Sequence, residues 1–259
     1  MARLVVHAGN SLAVAIDSGN ARVTRIDRDG PRVTCVNYES AQSGASVECH
    51  AVLSTLPVNY LVRSLDAPSA ILEAANRMSF RAMILIYLVL DQDRFSEYDA
   101  HYFPEEAIPI SRLSEPKNYA ASNEPRGRTV LCAELPCDPT SDYWNKTDAE
   151  LGEIVAAALR AAGIPLPAPP VDVVSRRLAH AYPIYQRGFE TDFASLDDWL
   201  QQFSNLVTFG RQGLFAHDNA HHALHMAYCA VDCLNGDGSF DGARWQSFRR
   251  TFEAHVVED

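Results

Sequence analysis

Every residue from position 82 to position 90 is apolar, and Arg81 and Asp91 bound the run. It falls far short of the roughly 20 apolar residues of a membrane span. It is also too short for a good helix, so residues 81–91 read as a fully buried strand. Such a strand needs a sheet around it, and residues 100–103, 108–113, 129–135 and 171–178 read as further strands. Residues 114–128 are loop-like, being rich in Pro, Asn and Gly. Helices do not alternate with these strands, which predicts an antiparallel sheet and an α+β middle of the chain.

One helix interrupts this β-rich stretch. Thr147 and Glu150 have capping-box spacing, in which each side chain satisfies an orphan backbone donor. Leu151, Ile154, Val155, Ala158, Leu159 and Ala162 form one apolar stripe, and Gly163 and Pro165 end it. A helix is therefore predicted over residues 147–162, followed by a stiff Pro-rich connector at 166–170. On the N-terminal side, Val23, Ile26, Val33 and Val36 flank Asp29-Gly30, a hairpin turn pair. A short strand is predicted over 47–54, broken by Thr55-Leu56-Pro57. Helices follow from Pro57 toward Leu65 and from Pro68 through Met78. On the C-terminal side an amphipathic helix is predicted over 189–203 and a short strand over 206–209 running into Gly210. Another helix is predicted over 219–234, and a last one after Asp241 with Trp245, Phe248, Phe252 and Val256 on one side. No internal repeat occurs.

Charge narrows the partners. Lys plus Arg is 22 against 33 Asp plus Glu, a formal net charge of −11. That balance argues against nucleic acid and anionic membranes as partners. With neither a membrane span nor a signal-type apolar segment, a cytoplasmic protein is expected. The six cysteines contain no C-x-x-C pair, so no zinc ribbon or thioredoxin-like site is supported. Cys229 and Cys233, one helical turn apart, read as small buried residues, and all six are expected as free thiols.

The segment Thr208-Phe209-Gly210-Arg211-Gln212-Gly213-Leu214-Phe215, followed by Asn219 and a helix, is a strand, a Gly-containing turn and a helix N-terminus. Glycines let a backbone approach a ligand closely, and a helix N-terminus offers free N–H groups and a partial positive charge. The pair suits a phosphate or an electron-rich ring edge, although many strand-turn-helix joints look alike. His217, His221 and His225 recur every four residues beside Asp218, a spacing that puts the three imidazoles on one helical face. The H-E-x-x-H pattern is absent, and no metal site is assigned. Arg112, Glu115 and Lys117 are read either as a polar substrate grip or as a solvated loop. No catalytic residue can be assigned from spacing.

Five blocks in order carry a resemblance. They are Val23-Thr24-Arg25-Ile26 with Asp29-Gly30; Ala51-Val52-Leu53-Ser54-Thr55-Leu56-Pro57; Ile110-Ser111-Arg112-Leu113-Ser114-Glu115-Pro116-Lys117-Asn118; Ala181-Tyr182-Pro183-Ile184-Tyr185; and Gly210-Arg211-Gln212-Gly213-Leu214-Phe215. With them the sequence resembles flavoproteins of the amine-oxidase, protoporphyrinogen-oxidase and UDP-galactopyranose-mutase group. The resemblance implies a mixed α/β, α+β chain. A partial FAD-binding Rossmann-like domain would be formed by residues 1–57 and 205–259, and a substrate-type domain with an antiparallel sheet by 58–204. It implies FAD as cofactor, with Gly210, Arg211, Gly213 and Asn219 near the flavin and Val23, Thr55 and Pro57 near its adenine side. Arg112, Tyr182 and Tyr185 would face a small-molecule substrate.

The departures matter equally. The family opens with a strand, a G-x-G-x-x-G turn and a helix that grips the pyrophosphate. The sequence contains no G-x-G-x-x-G, Gly9 has no glycine partner two residues away, and residues 7–15 are not a strand with a Gly-rich turn. Ala227 stands where the family carries a small Gly. Three readings follow: the C-terminal part of a flavin-dependent oxidoreductase; a flavin-free relative serving as a binding or scaffold protein or running a redox-neutral reaction; and one half of a split flavoenzyme. In the split reading a partner chain carries the missing half, and the exposed apolar surface on the isolated chain otherwise drives self-association.

Overall fold

The structure, a computed structural model, describes residues 21–39, 44–120 and 123–255. Gly9, residues 7–15 and Val256 lie outside them. The expected hairpin forms: β1 (Arg22–Asp29) and β2 (Arg32–Glu39) pair antiparallel with Asp29 opposite Arg32. Gly30 supplies the left-handed φ of +55° at the turn. β3 (Gly44–Glu48) pairs with β2 and completes a three-stranded sheet.

The single strand expected over 47–54 is two. Cys49 N–H still donates to Thr34 O at 3.0 Å, but Val52 N–H donates to Asn205 O at 2.8 Å. The chain thus changes sheets between them, and β4 (Val52–Ser54) pairs elsewhere. Pro57 and Pro68 sit at the N-caps of α1 (Val58–Ser64) and α2 (Ser69–Arg77), where their φ of −50° and −57° suits a helix start.

The apolar run forms β5 (Ser79–Leu90), in a five-stranded sheet with β6 (Ala100–Tyr102), β7 (Arg112–Ser114), β8 (Thr129–Cys137) and β9 (Asp172–Ile184). The order is β6-β7-β8-β5-β9, antiparallel from β6 through β5. α3 (Asp148–Ala161) packs on one face. Ala82, Ile84, Ile86, Leu88 and Leu90 point at Leu151, Val155, Ala158 and Leu159 and form the core with Leu113, Leu131 and Leu135. Leu85, Tyr87 and Val89 are only half-buried. The strand was expected to be buried on both faces, but α3 covers only the face that even-numbered residues share. The strand expected over 108–113 is confined to β7, and β9 runs past the expected end at Leu178.

After β9 come α4 (Phe189–Leu200), β10 (Leu206–Thr208), α5 (Gly210–Gly213), α6 (Ala220–Asp232) and α7 (Gly242–Phe252). β10 pairs in parallel with β4, Val207 opposite Leu53 and Thr208 opposite Ser54. Val207, Phe209, Met226, Cys229, Ala230, Cys233, Trp245 and Phe252 form a second core, with Ala227 packed against it. All six cysteines are free thiols, and Cys229 and Cys233 are buried as expected. No helix among the described residues is long and apolar enough to cross a membrane.

The chain divides into two compact units, one of Phe80–Ala181 and one of the residues up to Ser79 with those from Tyr182 onward. Helices α1, α2 and α4, all inside the 58–204 span of the sequence reading, fall in the unit that holds the hairpin and the parallel strand pair.

Candidate functional site

The parallel pairing of β4 and β10 sets the site. Both strands end at the same level, so the turns that follow them lie side by side. Phe209 N–H donates to Ser54 O at 3.1 Å, and Leu56 N–H donates to Ser54 Oγ at 3.3 Å. Gly210 adopts φ +78°, which an L side chain resists, and a Cβ there would sit 3.8 Å from Thr55 Cγ2. A Cβ at Gly213 would sit 3.5 Å from Ser54 O and 3.7 Å from Leu56 O, at ordinary van der Waals distance. Thr55, Pro57, Gly210 and Gly213 therefore gather at the carboxyl ends of two parallel strands, where α1 and α5 begin. This is where open α/β sheets take their ligands. The expected Gly turn is one turn of helix, with Leu214 N–H on Gly210 O at 2.9 Å.

Arg211 holds the next loop. Its Nε donates to the main-chain oxygen of Asp218 at 2.9 Å, its Nη2 donates to the same oxygen, and its guanidinium lies 4.7 Å from the centre of the Tyr182 ring. The guanidinium thus braces the 214–219 segment. Phe215 takes a left-handed φ of 49° and is buried. It packs near Tyr185, Phe189 and Phe193. The Tyr185 hydroxyl accepts the His217 N–H at 2.9 Å, the Tyr185 ring stacks on Phe189 at 4.3 Å, and burial raises the phenol's pKa. Asn219 caps α6 in a capping box with His222, and its own N–H donates to His222 Nδ1 at 3.2 Å. Gly210 N–H is engaged by Met226 Sδ of α6 at 3.2 Å. The turn after β10, the 214–219 loop and the start of α6 are one linked assembly, which brings Tyr182 and Tyr185 together with Arg211 and Asn219.

Two expected residues belong to other sheets. Val23 is on β1, opposite Tyr38 in the three-stranded sheet. Arg112 is in the other compact unit, paired with Glu134 across β7 and β8. Burial opposes its charge, but hydrogen bonds to Glu134 and Tyr102 outweigh that and raise its pKa. Its neighbours Glu115 and Lys117 are not a solvated loop. Glu115 is 1% exposed and accepts from Phe95 N, Ser96 N and Thr129 Oγ1, while Lys117 Nζ donates to three main-chain oxygens. Both brace the loop around them.

The histidines also regroup. α6 begins only at Ala220, so His217 precedes the helix and its Nε2 lies 2.8 Å from Pro183 O. His221 and His225 are exposed on α6. Instead, Asp218, His222 and His255 place one ligand-type atom each within 4.8 Å of one another. Spacing had no means of finding this group, because His255 follows a different helix.

The model of the family described as "Flavin containing amine oxidoreductase" matches residues 18–228. Among solved structures, reduced UDP-galactopyranose mutase is 21% identical with a TM-score of 0.65, covering 82% of this chain and 45% of that one. A putative protoporphyrinogen oxidase from Exiguobacterium sp. 255-15 is 18% identical with a TM-score of 0.54, covering 74% of this chain and 42% of that one. The chain thus spans less than half the length of either structure. A comparison with curated protein sequences gives no match.

Proposed function

The chain belongs to the flavin containing amine oxidoreductase family, and from that premise we propose that it forms the C-terminal, ring-side part of a flavin-dependent oxidoreductase site. The observation that carries this reading is the alignment of Thr55, Pro57, Gly210 and Gly213 at the carboxyl ends of β4 and β10. The family's cofactor is FAD, and when bound it supplies hydride acceptance, chemistry that no protein side chain offers. The residues present fit one end of it. Glycines at 210 and 213 let the turn lie against the end of β4, with Thr55 and Ser54 within 4 Å of where their side chains would be, and α6 begins at Asn219, a helix N-terminus that favours an electron-rich ring edge. Gly210, Gly213 and Asn219 would hold the ring, and Arg211 would act by bracing the loop that carries Asn219. Thr55 lies within 4 Å of where a Gly210 side chain would be, so Thr55 and Pro57 would face the same end of the cofactor as that turn, and Val23, on β1, would be left to the adenine side. Tyr182 and Tyr185 would border the substrate.

The residues present do not fit the pyrophosphate. Among the described residues the parallel sheet is only β4 and β10, and the sequence has no G-x-G-x-x-G. A further segment must supply that grip, whether continuous with this chain or on a separate one. Leu224, Tyr228 and Val231, spaced to share one face of α6, are 60%, 71% and 57% exposed and would offer such a segment an apolar face.

The test is an FAD titration of the purified chain, followed by visible absorbance, alone and with a co-expressed segment carrying G-x-G-x-x-G. Weak or no binding alone and tight binding with the segment is the expected result. Tight binding by the chain alone would overturn the need for completion. No binding in either condition would favour a flavin-free relative acting as a binding protein.

A further inference from the structure

The side chains of Asp218, His222 and His255 form a cluster whose one role so far is the bond from Asn219 N–H to His222 at the start of α6. Asp218 is 5% exposed, and its Oδ2 has no hydrogen-bond partner. Its Oδ1 lies 3.5 Å from His222 Nδ1 and 3.7 Å from His255 Nδ1. The His222 nitrogen accepts the Asn219 N–H at 3.2 Å, so it carries a lone pair and no proton. The His255 nitrogen is buried with no hydrogen-bond partner, Asp218 Oδ1 being 3.7 Å away. Arg211 does not neutralise the carboxylate, because its guanidinium is on the Asp218 main-chain oxygen. A buried carboxylate and two imidazole nitrogens therefore converge, and the one proton donor identified at either nitrogen is the Asn219 amide. Burying an unpaired charge is expensive, and such groups are paired with cations or coordinate metals.

We propose that Asp218, His222 and His255 bind a divalent transition-metal ion of the zinc class. Two imidazoles and a carboxylate are the donor types zinc takes, and three protein ligands leave a fourth position for water. In a tetrahedral site with metal–nitrogen bonds of about 2.0–2.1 Å, donor atoms lie about 3.3 Å apart. The 3.5 and 3.7 Å separations are close to that, and the remaining pair, the two imidazole nitrogens, lies within 4.8 Å. The His222 and His255 rings stack at 4.3 Å with 15° between their planes, so one ring must turn out of the stack for both in-plane lone pairs to meet one ion. Coordination takes the His222 lone pair from the long bond with Asn219. The ion would tie the segment after α7 to the start of α6. The proposal does not depend on whether flavin binds.

The test uses the untagged full chain, dialysed against zinc and then against metal-free buffer, with bound metal measured by elemental analysis and unfolding followed by a thermal scan. Stoichiometric zinc is expected in the parent, with a rise in melting temperature that a chelator reverses. His255→Ala and Asp218→Asn are expected to lose the zinc, and His221→Asn to keep it. His255 is at the end of the described chain, so its replacement spares the helix cap that His222 makes. Cobalt substitution should give the visible bands of a four-coordinate site in the parent and not in His255→Ala. Failure of the parent to retain zinc overturns the proposal, whatever the variants do. So does retention by His255→Ala with loss in His221→Asn, which would place the metal on exposed histidines.

Discussion

Two glycines in one turn do different work. Gly210 has φ +78°, so any side chain there is strained whatever the free space around it. Gly213 lies in the helical turn, and a Cβ there would meet only ordinary contacts with Ser54 O and Leu56 O. Gly210→Ala should therefore lower stability by about 1–2 kcal/mol through backbone strain, while Gly213→Ala should change it by less than about 0.5 kcal/mol. Urea unfolding of both variants measures the difference. If the missing Cβ of Gly213 matters to a ligand, its variant should keep the parent's unfolding midpoint and lose FAD affinity in the completed protein. Equal destabilisation by the two substitutions would show that Gly213 also serves the fold. The sequence marked both glycines and could not separate their roles, because the distinction is a backbone dihedral.

At the scale of elements, the helices show which signals are local. α3 follows its caps: Thr147 Oγ1 accepts the Glu150 N–H at 3.3 Å, and Glu150 accepts the Thr147 N–H at 2.8 Å. That hydrogen bond from the Thr147 backbone, with a second from its hydroxyl, holds the Glu150 carboxyl below its ordinary range. A carboxyl depressed by folding stabilises the protein above its unfolded pKa, and the contribution fades as pH falls through the folded value. Glu150→Gln should therefore lower the melting temperature at pH 7, and the gap to the parent should close in acid below the ordinary carboxylate range. Parallel thermal scans against pH check this, and a gap that stays constant would mean that the carboxylate charge contributes nothing. α4 and α7 depend on a non-local contact instead. Arg249 and Asp197 form a two-pronged ion pair at 3.0 and 2.9 Å, with both side chains nearly buried. No spacing rule announces that partnership, although the apolar stripes of both helices were readable.

For the molecule as a whole, the exposed stripe on α6 is the feature with the largest consequence. Leu224, Tyr228 and Val231 are exposed and spaced to share one face of α6 on a chain of net charge −11, and exposed apolar faces drive association. The chain alone should self-associate with rising concentration in sedimentation velocity. Leu224→Ser, Tyr228→Ser and Val231→Ser together should return it to monomer while weakening capture of a G-x-G-x-x-G-bearing segment. A parent that stays monomeric at all concentrations would argue against this surface as a contact face.

What the sequence determined by itself was the set of elements whose causes lie within a few residues. These are the Asp29-Gly30 hairpin, the capped α3, the apolar β5, the prolines opening α1 and α2, and the order of family blocks. Turn dihedrals, caps and hydrophobic period are short-range, so they can be read without a fold. Tertiary structure decided the rest. Asn205 reaches back to the hairpin, accepting the Val33 N–H and donating to Val33 O, both at 2.8 Å, and draws β10 alongside β4. That pairing turns two separate strand ends into one site. Folding likewise set Arg211 on the Asp218 carbonyl, parted His217 from α6, and carried His255 to Asp218. Each of these contacts joins residues whose distance in space is fixed by the packing of other elements, and no periodicity in the chain encodes it.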